Sequence, residues 1–378
     1  MIVTRQPHTG MEIFQRLPNE VIAEIIGVAS KVNQATLCRV SKLFNDLCLP
    51  TLYRVVLLED YAAALAFTST LLANTTRAAT IRSFTVERLY EPWPQPSPPV
   101  LGGMLLASMK LMTRLEHLFF PALYKLQDNC FDALLADVTL PCLLTCGISH
   151  FSSWNAAGDK IGLFLQRHPT LTRVRLRTNM RIVISPTLRI SLPNLRHYDG
   201  SVGLLPSMEA GGNLTRARLH WHSDHEDEDI DQAVKVLCSL SNPTIPFFAV
   251  HEYRDNSWQP ILTSMAAHMP HTTALQMRPL AEFGTDLTEQ IIDHITACLP
   301  VFTKLVYLAF ECEAAAFPSS DADEDDDCNT VETWSEACPT LEACCFNSCA
   351  WRKGEDGWEE FDMSEFRALV GIPDSGYW

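Results

Sequence analysis

One short phrase recurs along this chain: an anchor residue, then apolar residues two, five and seven positions later, as in Pro169-Thr-Leu171-Thr-Arg-Val174-Arg-Leu176. The anchors are Pro50, Ala79, Thr113, Pro141, Pro169, Pro193, Gly212, Pro243, Pro270, Pro300 and Pro339, spaced 19 to 39 residues apart. Nine of the eleven fill all three apolar positions; Gly200 and Thr272 are the failures. Helix-like text precedes several anchors, at Leu163 to Pro169, Ile261 to Met269 and Gln290 to Leu299. Proline stops a helix, and the alternation after it suits a strand. Helix, proline and short strand in repetition predict a parallel β/α solenoid whose units bury their faces only on their neighbours. A chain of 378 residues exceeds what one hydrophobic core supports, which an array solves.

Two stretches break the rhythm and read as loops. Pro92 to Pro99 carries five prolines and is expected to be extended. An acidic insertion at 319–330, with the run Asp321 to Asp327, is expected to be solvated and mobile. Residues 351–378 fit no further anchor and are expected to cap the open end of the array or form a tail.

Before the first anchor the pattern changes. Leu17-Pro18-Asn19-Glu20-Val21-Ile22-Ala23-Glu24-Ile25-Ile26 opens with a helix-start signal and sets Val21, Ile25 and Val28 on one stripe beside Ile22, Ile26 and Ala29. Further helices are predicted over Gln34 to Val40 and over Ser41 to Leu49, ending at Pro50. Three short helices cannot bury that much apolar surface alone, so part of it should face a partner or the next domain.

These residues, together with Leu37-Cys-Arg-Val40-Ser41-Lys42-Leu-Phe44-Asn-Asp-Leu47 and the continuation Leu52-Tyr53-Arg54-Val55, resemble an F-box of the fungal type that precedes leucine-rich repeats. Phe44 stands where that family often has tryptophan. The resemblance divides the chain into an F-box-like helical module at 11–50, an irregular leucine-rich-repeat-like β/α solenoid (a horseshoe) at 51–350, and the cap. The fold class is α/β.

The resemblance implies docking to the Skp-family linker protein, and through it a cullin, in an SCF-type ubiquitin ligase. Leu17, Pro18, Glu20, Val21, Ile25 and Val40 match the family's contact positions. The solenoid would then bind the target protein. Two readings stay open for the apolar stripe: it docks on the linker, or Leu17, Val21 and Ile25 pack on Tyr53 and the first repeat. A leucine-rich-repeat scaffold outside ubiquitination is the alternative function.

Composition narrows the partners. Net charge is −16, which disfavours bulk affinity for nucleic acid or anionic membrane. No apolar stretch is long enough for a membrane span, and no secretory start precedes the thirteen cysteines, so a reducing cytoplasm or nucleus with mostly buried thiols is expected. Cys338, Cys344, Cys345 and Cys349 lack the paired turns of a zinc site. His220, His222, Asp224 and His225 read as a wet loop, and Asp321, Asp323, Asp325, Asn329 and Glu332 mimic calcium-loop spacing without its glycine. No metal or cofactor is expected. There is no Gly-x-Ser-x-Gly elbow, phosphate-binding glycine loop or His-Glu-x-x-His, so no enzyme is expected either.

Strand geometry locates a partner surface. If residues five and seven after each anchor point inward, residues four, six and eight share the concave face. Those positions are Arg173, Arg175 and Arg177, then His197 and Asp199, then Arg216, Arg218 and His220. Five arginines on one face predict a site for an acidic or phosphorylated target segment. The competing reading pairs them with surface acids such as Asp224 to Asp231.

Overall fold

The structure of the chain is a computed structural model, and it describes residues 17–87, 99–120, 128–150, 158–178, 184–221, 229–253, 258–279, 287–310, 324–347 and 349–370. Two compact units emerge, one of Met1–Phe120 with Val138–Leu143 and one of Pro121–Asp137 with Leu144–Trp378.

The first unit begins with three helices, α1 (Asn19–Val28), α2 (Lys31–Leu37) and α3 (Lys42–Leu52). Serines set two of their starts: Ser30 Oγ accepts from the Asn33 N–H at 3.3 Å and Ser41 Oγ from the Phe44 N–H at 3.2 Å. The Ser30 cap moves α2 three residues earlier than the sequence pattern predicted. Helix α3 also runs past its predicted end, with Pro50 inside its last turn. The ring forfeits one main-chain donor there, while the Tyr53 N–H still reaches the Leu49 carbonyl at 3.0 Å. Ile22, Ile26 and Cys48 form a small core, with Leu17, Leu37, Cys38, Phe44 and Leu47 packed against it.

The same unit continues as β1 (Val55–Leu58), α4 (Tyr61–Ala73), β2 (Ser83–Val86), α5 (Pro99–Leu111) and β3 (His117–Phe120). The three strands pair in parallel, Val55 beside Ser83 and Ser83 beside His117. Only alternate residues are buried, such as Val56, Leu58, Phe84 and Val86, as a one-sided core requires. Pro92 to Pro98 lie outside the described residues, and Pro99 opens α5.

In the second unit ten strands follow one another in chain order: β4 (Thr145–His150), β5 (Arg173–Thr178), β6 (His197–Ser201), β7 (Arg216–His220), β8 (Phe248–Tyr253), β9 (Ala274–Pro279), β10 (Tyr307–Phe310), β11 (Ala343–Phe346), β12 (Cys349–Lys353) and β13 (Trp358–Phe361). Strands β4 to β11 are parallel, and β12 and β13 close the edge antiparallel. The α-helices are α6 (Asp128–Asp137), α7 (Gly158–Gln166), α8 (Ile230–Leu240), α9 (Trp258–His268), α10 (Glu289–Cys298), α11 (Glu324–Ala337) and α12 (Met363–Val370). Trp258 of α9 and Trp334 of α11 pack on Phe310, and Trp334 on Phe346, so the helices cover the face that carries Leu308, Phe310 and Phe346. Between β5, β6 and β7 no α-helix intervenes among the described residues, only a 3₁₀ turn at Val202–Ser207, which accounts for the shortest spacings.

Eight anchors stand four residues before their strands. The other three are displaced: the paired registers align Thr51, Thr244 and Thr303 with the remaining anchors, one, one and three residues after the prolines chosen from the pattern. A ladder links these positions. Asn194 Nδ2 donates to the Pro169 carbonyl at 3.1 Å, Asn213 Nδ2 to the Pro193 carbonyl at 2.7 Å, and the Thr303 N–H to the Pro270 carbonyl at 2.8 Å. These three units thereby satisfy a carbonyl that the predecessor's proline turn leaves open.

The two failed positions have physical explanations. A Cβ on Gly200 would lie 2.8 Å from the Tyr198 hydroxyl and 3.0 Å from the Leu176 carbonyl, so Tyr198 fills the space an aliphatic side chain would occupy. Thr272 is fully buried and donates its hydroxyl to the Met269 carbonyl at 2.8 Å.

Part of the acidic insertion is structured, against expectation. Residues 324–337 form α11, so a calcium loop spanning Asp321 to Glu332 cannot exist, although Asp321 and Asp323 lie outside the described residues. Carboxylates in a first turn face the positive end of the helix dipole, which turns a run that reads as solvated into a helix start. Asp327 also accepts from Asn347 Nδ2 at 3.0 Å. After Phe346 the parallel rhythm ends. Helix α12 seats Phe366 and Val370 on a surface of small residues, Ala274, Ala309, Ala343, Cys345 and Ala350.

Among the described residues no helix is long and apolar enough to cross a membrane, and no group of three or more metal-ligating side chains is placed to hold an ion. His222, Asp224 and His225 lie outside the described residues. Cys338, Cys344 and Cys345 are buried free thiols, and burial raises the Cys344 thiol well above its ordinary value.

Candidate interaction surfaces

Three residue rows cross the face of the second unit's sheet opposite Leu308, Phe310 and Phe346, a face that α12 covers at its β9–β12 end, because i and i+2 on each strand share a face and the registers align them. The first row is Thr145, Arg173, His197, Arg216, Phe248, Ala274 and Tyr307. The second is Gly147, Arg175, Asp199, Arg218, Val250 and Gln276, and the third is Ser149, Arg177, Ser201, His220, Glu252 and Arg278. All five arginines picked out in the sequence therefore share one face, on β5 and β7, with β6 between them.

Among the described residues their ion pairs run to acids on neighbouring strands, and Asp224 to Glu228 lie outside the described residues. Asp199 Oδ2 lies 3.2 Å from Arg175 Nε and 3.4 Å from Arg177 Nη2. Glu252 Oε1 lies 3.7 Å from Arg218 Nε and 3.8 Å from Arg278 Nη1. His220 bridges the two carboxylates, Nε2 at 2.7 Å from Asp199 and Nδ1 at 2.8 Å from Glu252. Asp231 is engaged elsewhere, by Lys235 and by His268, both at 2.5 Å.

Burial makes this network strong and costly together. Asp199, Arg218, His220 and Glu252 are all buried. Burial alone would lower His220, but its hydrogen bonds to Asp199 and Glu252 outweigh that and raise it above its ordinary value. Burial would likewise raise the carboxyl groups, yet the His220 bond and the charges of Arg177 and Arg218 hold Asp199 below the carboxylate range and bring Glu252 to about 2. Arg175 is pulled down to about 10, by burial and then by Arg177. His220 is thus an imidazolium with both protons engaged.

The first row is different. His197 is brought down to about 4, by burial and then by Arg173 and Arg216 on either side, with Arg196 adding to them. Its buried Nδ1 has no hydrogen-bond partner. Arg173 is exposed, and Arg216 lies over the Phe248 ring at 5.0 Å.

Glu252 and Arg278 escaped the sequence reading for traceable reasons. With the anchor placed at Pro243 instead of Thr244, Glu252 fell one position out of the outward set. Arg278 stands eight residues after Pro270, so the signal existed two units beyond those read.

A second surface belongs to the first unit. Helix α1 buries Ile22 and Ile26 at 3% and 1% exposure while Val21, Ile25 and Val28 stand 38%, 55% and 88% exposed. Val32, Val40 and Leu43 are also exposed. Pro18 caps α1, its carbonyl accepting from the Ile22 N–H at 3.2 Å, and Glu20 is an exposed first-turn acid that suits the helix dipole. Leu17 differs from its predicted neighbours, being half-buried against the small core. Val21 and Ile25 therefore do not pack away on the first repeat.

No family model matches the chain, and no curated protein matches it.

Proposed function

We propose that this chain is the substrate-recruiting adaptor of an SCF-type cullin-RING ubiquitin ligase, its three-helix module docking on the Skp-family linker and its β/α repeats holding the target. The observation that carries the reading is the apolar stripe of Val21, Ile25 and Val28, left exposed by a helix that already fills its own core with Ile22 and Ile26. Exposed aliphatic side chains at helical spacing are what a partner's groove accepts. Val21 and Ile25 lie where the F-box resemblance puts its contacts, joined by the exposed Val40. The charged rows supply a second, chemically distinct surface for a target. The adaptor contributes position and no bond-making residue.

Co-purification with the linker protein tests the reading. Val21→Asp with Ile25→Asp should abolish capture while the unfolding free energy changes by no more than about 0.5 kcal/mol per site, since both sites are exposed. Leu17→Asp is the poorer probe, because Leu17 also packs on the core. If the intact chain never captures the linker, the ligase reading falls and an interaction scaffold remains.

A further inference from the structure

The second unit's outer strand, β13, carries Glu359 and Glu360, charge of the kind that discourages another chain from adding on. The first unit's outer strand is β1, and Val55–Leu58 carries no charge and no proline. The Arg54 and Leu58 carbonyls accept from the Ser83 and Glu87 N–H groups, at 3.0 and 2.8 Å, so residues 54, 56 and 58 face β2. Main-chain groups alternate along a parallel ladder, which turns the N–H and C=O of Val55 and Leu57 to the outer side. Among the described residues no strand pairs there. The same two residues are 52% and 47% exposed. An aliphatic strand edge of this kind is a template for a further strand.

The charges at the two ends of the strand say which one. We propose that β1 pairs antiparallel with β1 of a second copy of this chain, about a two-fold axis through Leu57. Hydrogen-bonded pairs in an antiparallel ladder join two outward-facing residues, so Leu57 meets its own copy and Val55 meets Glu59. The same register sets Arg54 directly opposite Asp60, twice by symmetry. Side chains opposed in this way stand about 4.5–5.5 Å apart at Cβ, within ion-pair reach. Arg54, Glu59 and Asp60 are exposed, and Asp60 is extended backbone, which lets the ladder run that far. Asp60 Oδ1 caps α4 through the Ala63 N–H at 2.7 Å, and Oδ2 is the atom for the arginine. Val56 falls opposite Leu58, so the buried row of the first unit continues from one copy into the other. A parallel pairing in register would set Arg54 beside Arg54 and Asp60 beside Asp60, and loses that match. An unrelated strand would meet the pattern only by chance, whereas a two-fold axis supplies it from one sequence.

A four-residue strand makes a small interface, of the size that weak and transient pairs use, so the dimer should dissociate in the micromolar range. The inference is independent of the ligase reading, because Val55 and Leu57 lie outside the exposed stripe of α1.

Sedimentation equilibrium of the full chain tests it. The average mass should climb from one chain toward two between roughly 1 and 200 μM. Leu57→Lys sets two ammonium groups against each other at the axis and should weaken pairing at least about tenfold, with the circular dichroism unchanged. Leu163→Lys, at an exposed position of α7, should leave the mass curve as it was. Arg54→Glu and Asp60→Lys should each pair with themselves more weakly than wild type does, and should pair with each other when mixed, because mixing restores opposite charges at both ends. A chain that stays monomeric at the highest concentration, a Leu57→Lys dimer as tight as wild type, or mixed variants that fail to pair would overturn the second copy. Pairing that appears only after residues 1–16 are removed would give the edge to that segment and likewise overturn it. Linker capture by Leu57→Lys should equal that of wild type, which keeps a failure here separate from a failure of the ligase reading.

Discussion

His220 is the residue whose replacement tests the network most directly. Both ring nitrogens lie within hydrogen-bond distance of carboxylates, 2.7 Å to Asp199 and 2.8 Å to Glu252, and both carboxylates are depressed. Each nitrogen must therefore carry a proton. Removing one member of a buried ion pair costs about 3–5 kcal/mol. Here Arg175, Arg177, Arg218 and Arg278 remain to hold the two acids, so His220→Gln should fall at the lower end, about 3 kcal/mol. The pH dependence follows from the directions of the shifts. A histidine held above its ordinary 6.5 contributes fully below that value, and the contribution is lost as pH rises through the higher folded value. The depressed acids contribute above their ordinary 3.8 and 4.5 and lose it as pH falls through the folded values, about 2 for Glu252. The gap between wild type and His220→Gln should therefore be widest between about pH 4.5 and 6.5 and narrow in alkali. Denaturant unfolding across that range, with hydrogen exchange of the β7 amides to localise the effect, measures it. A ring nitrogen that is unprotonated near neutral pH, or a gap indifferent to pH, would refute the reasoning.

Gln34→Ala should destabilise the N-terminal module by about 1–3 kcal/mol, because the buried amide donates to the Ile26 and Ala29 carbonyls, both at 2.9 Å, at the end of α1; denaturation of the intact chain reads it, and a cost near zero would remove Gln34 from the module's support. Gly200→Ala should cost about 1–3 kcal/mol, since the new methyl meets the Tyr198 hydroxyl and the Leu176 carbonyl. Pairing it with Tyr198→Phe, which deletes the hydroxyl, should recover part of the loss in the same measurement.

The repeat was legible because its physics is local. A proline that halts a helix and an alternation that follows it are both written within a few residues, so eight anchors led to strands at the same offset and the five arginines fell on one face. What the local text could not fix was register. Pro300 satisfies the phrase as well as Thr303 does, Pro243 satisfies it better than Thr244, and only pairing with neighbouring strands reveals the true register. That single-residue ambiguity concealed Glu252, because a slip of one exchanges the two faces of a strand. The acidic run misled in another way: its charge suggested solvent, whereas its position before an apolar stretch made it a helix start.

Register also explains how the second and third rows come to be ion-paired. A carboxylate placed one residue off the outward set would point into the helix-covered core, where no arginine could reach it. At its actual position Glu252 lies beside His220 and, on the other side, Arg278. Together with Asp199 it engages the cations of the second and third rows. The internal network therefore depends on the alignment of β8, so a variant that shifts β8 by one residue should separate Glu252 from Arg218, His220 and Arg278 at once.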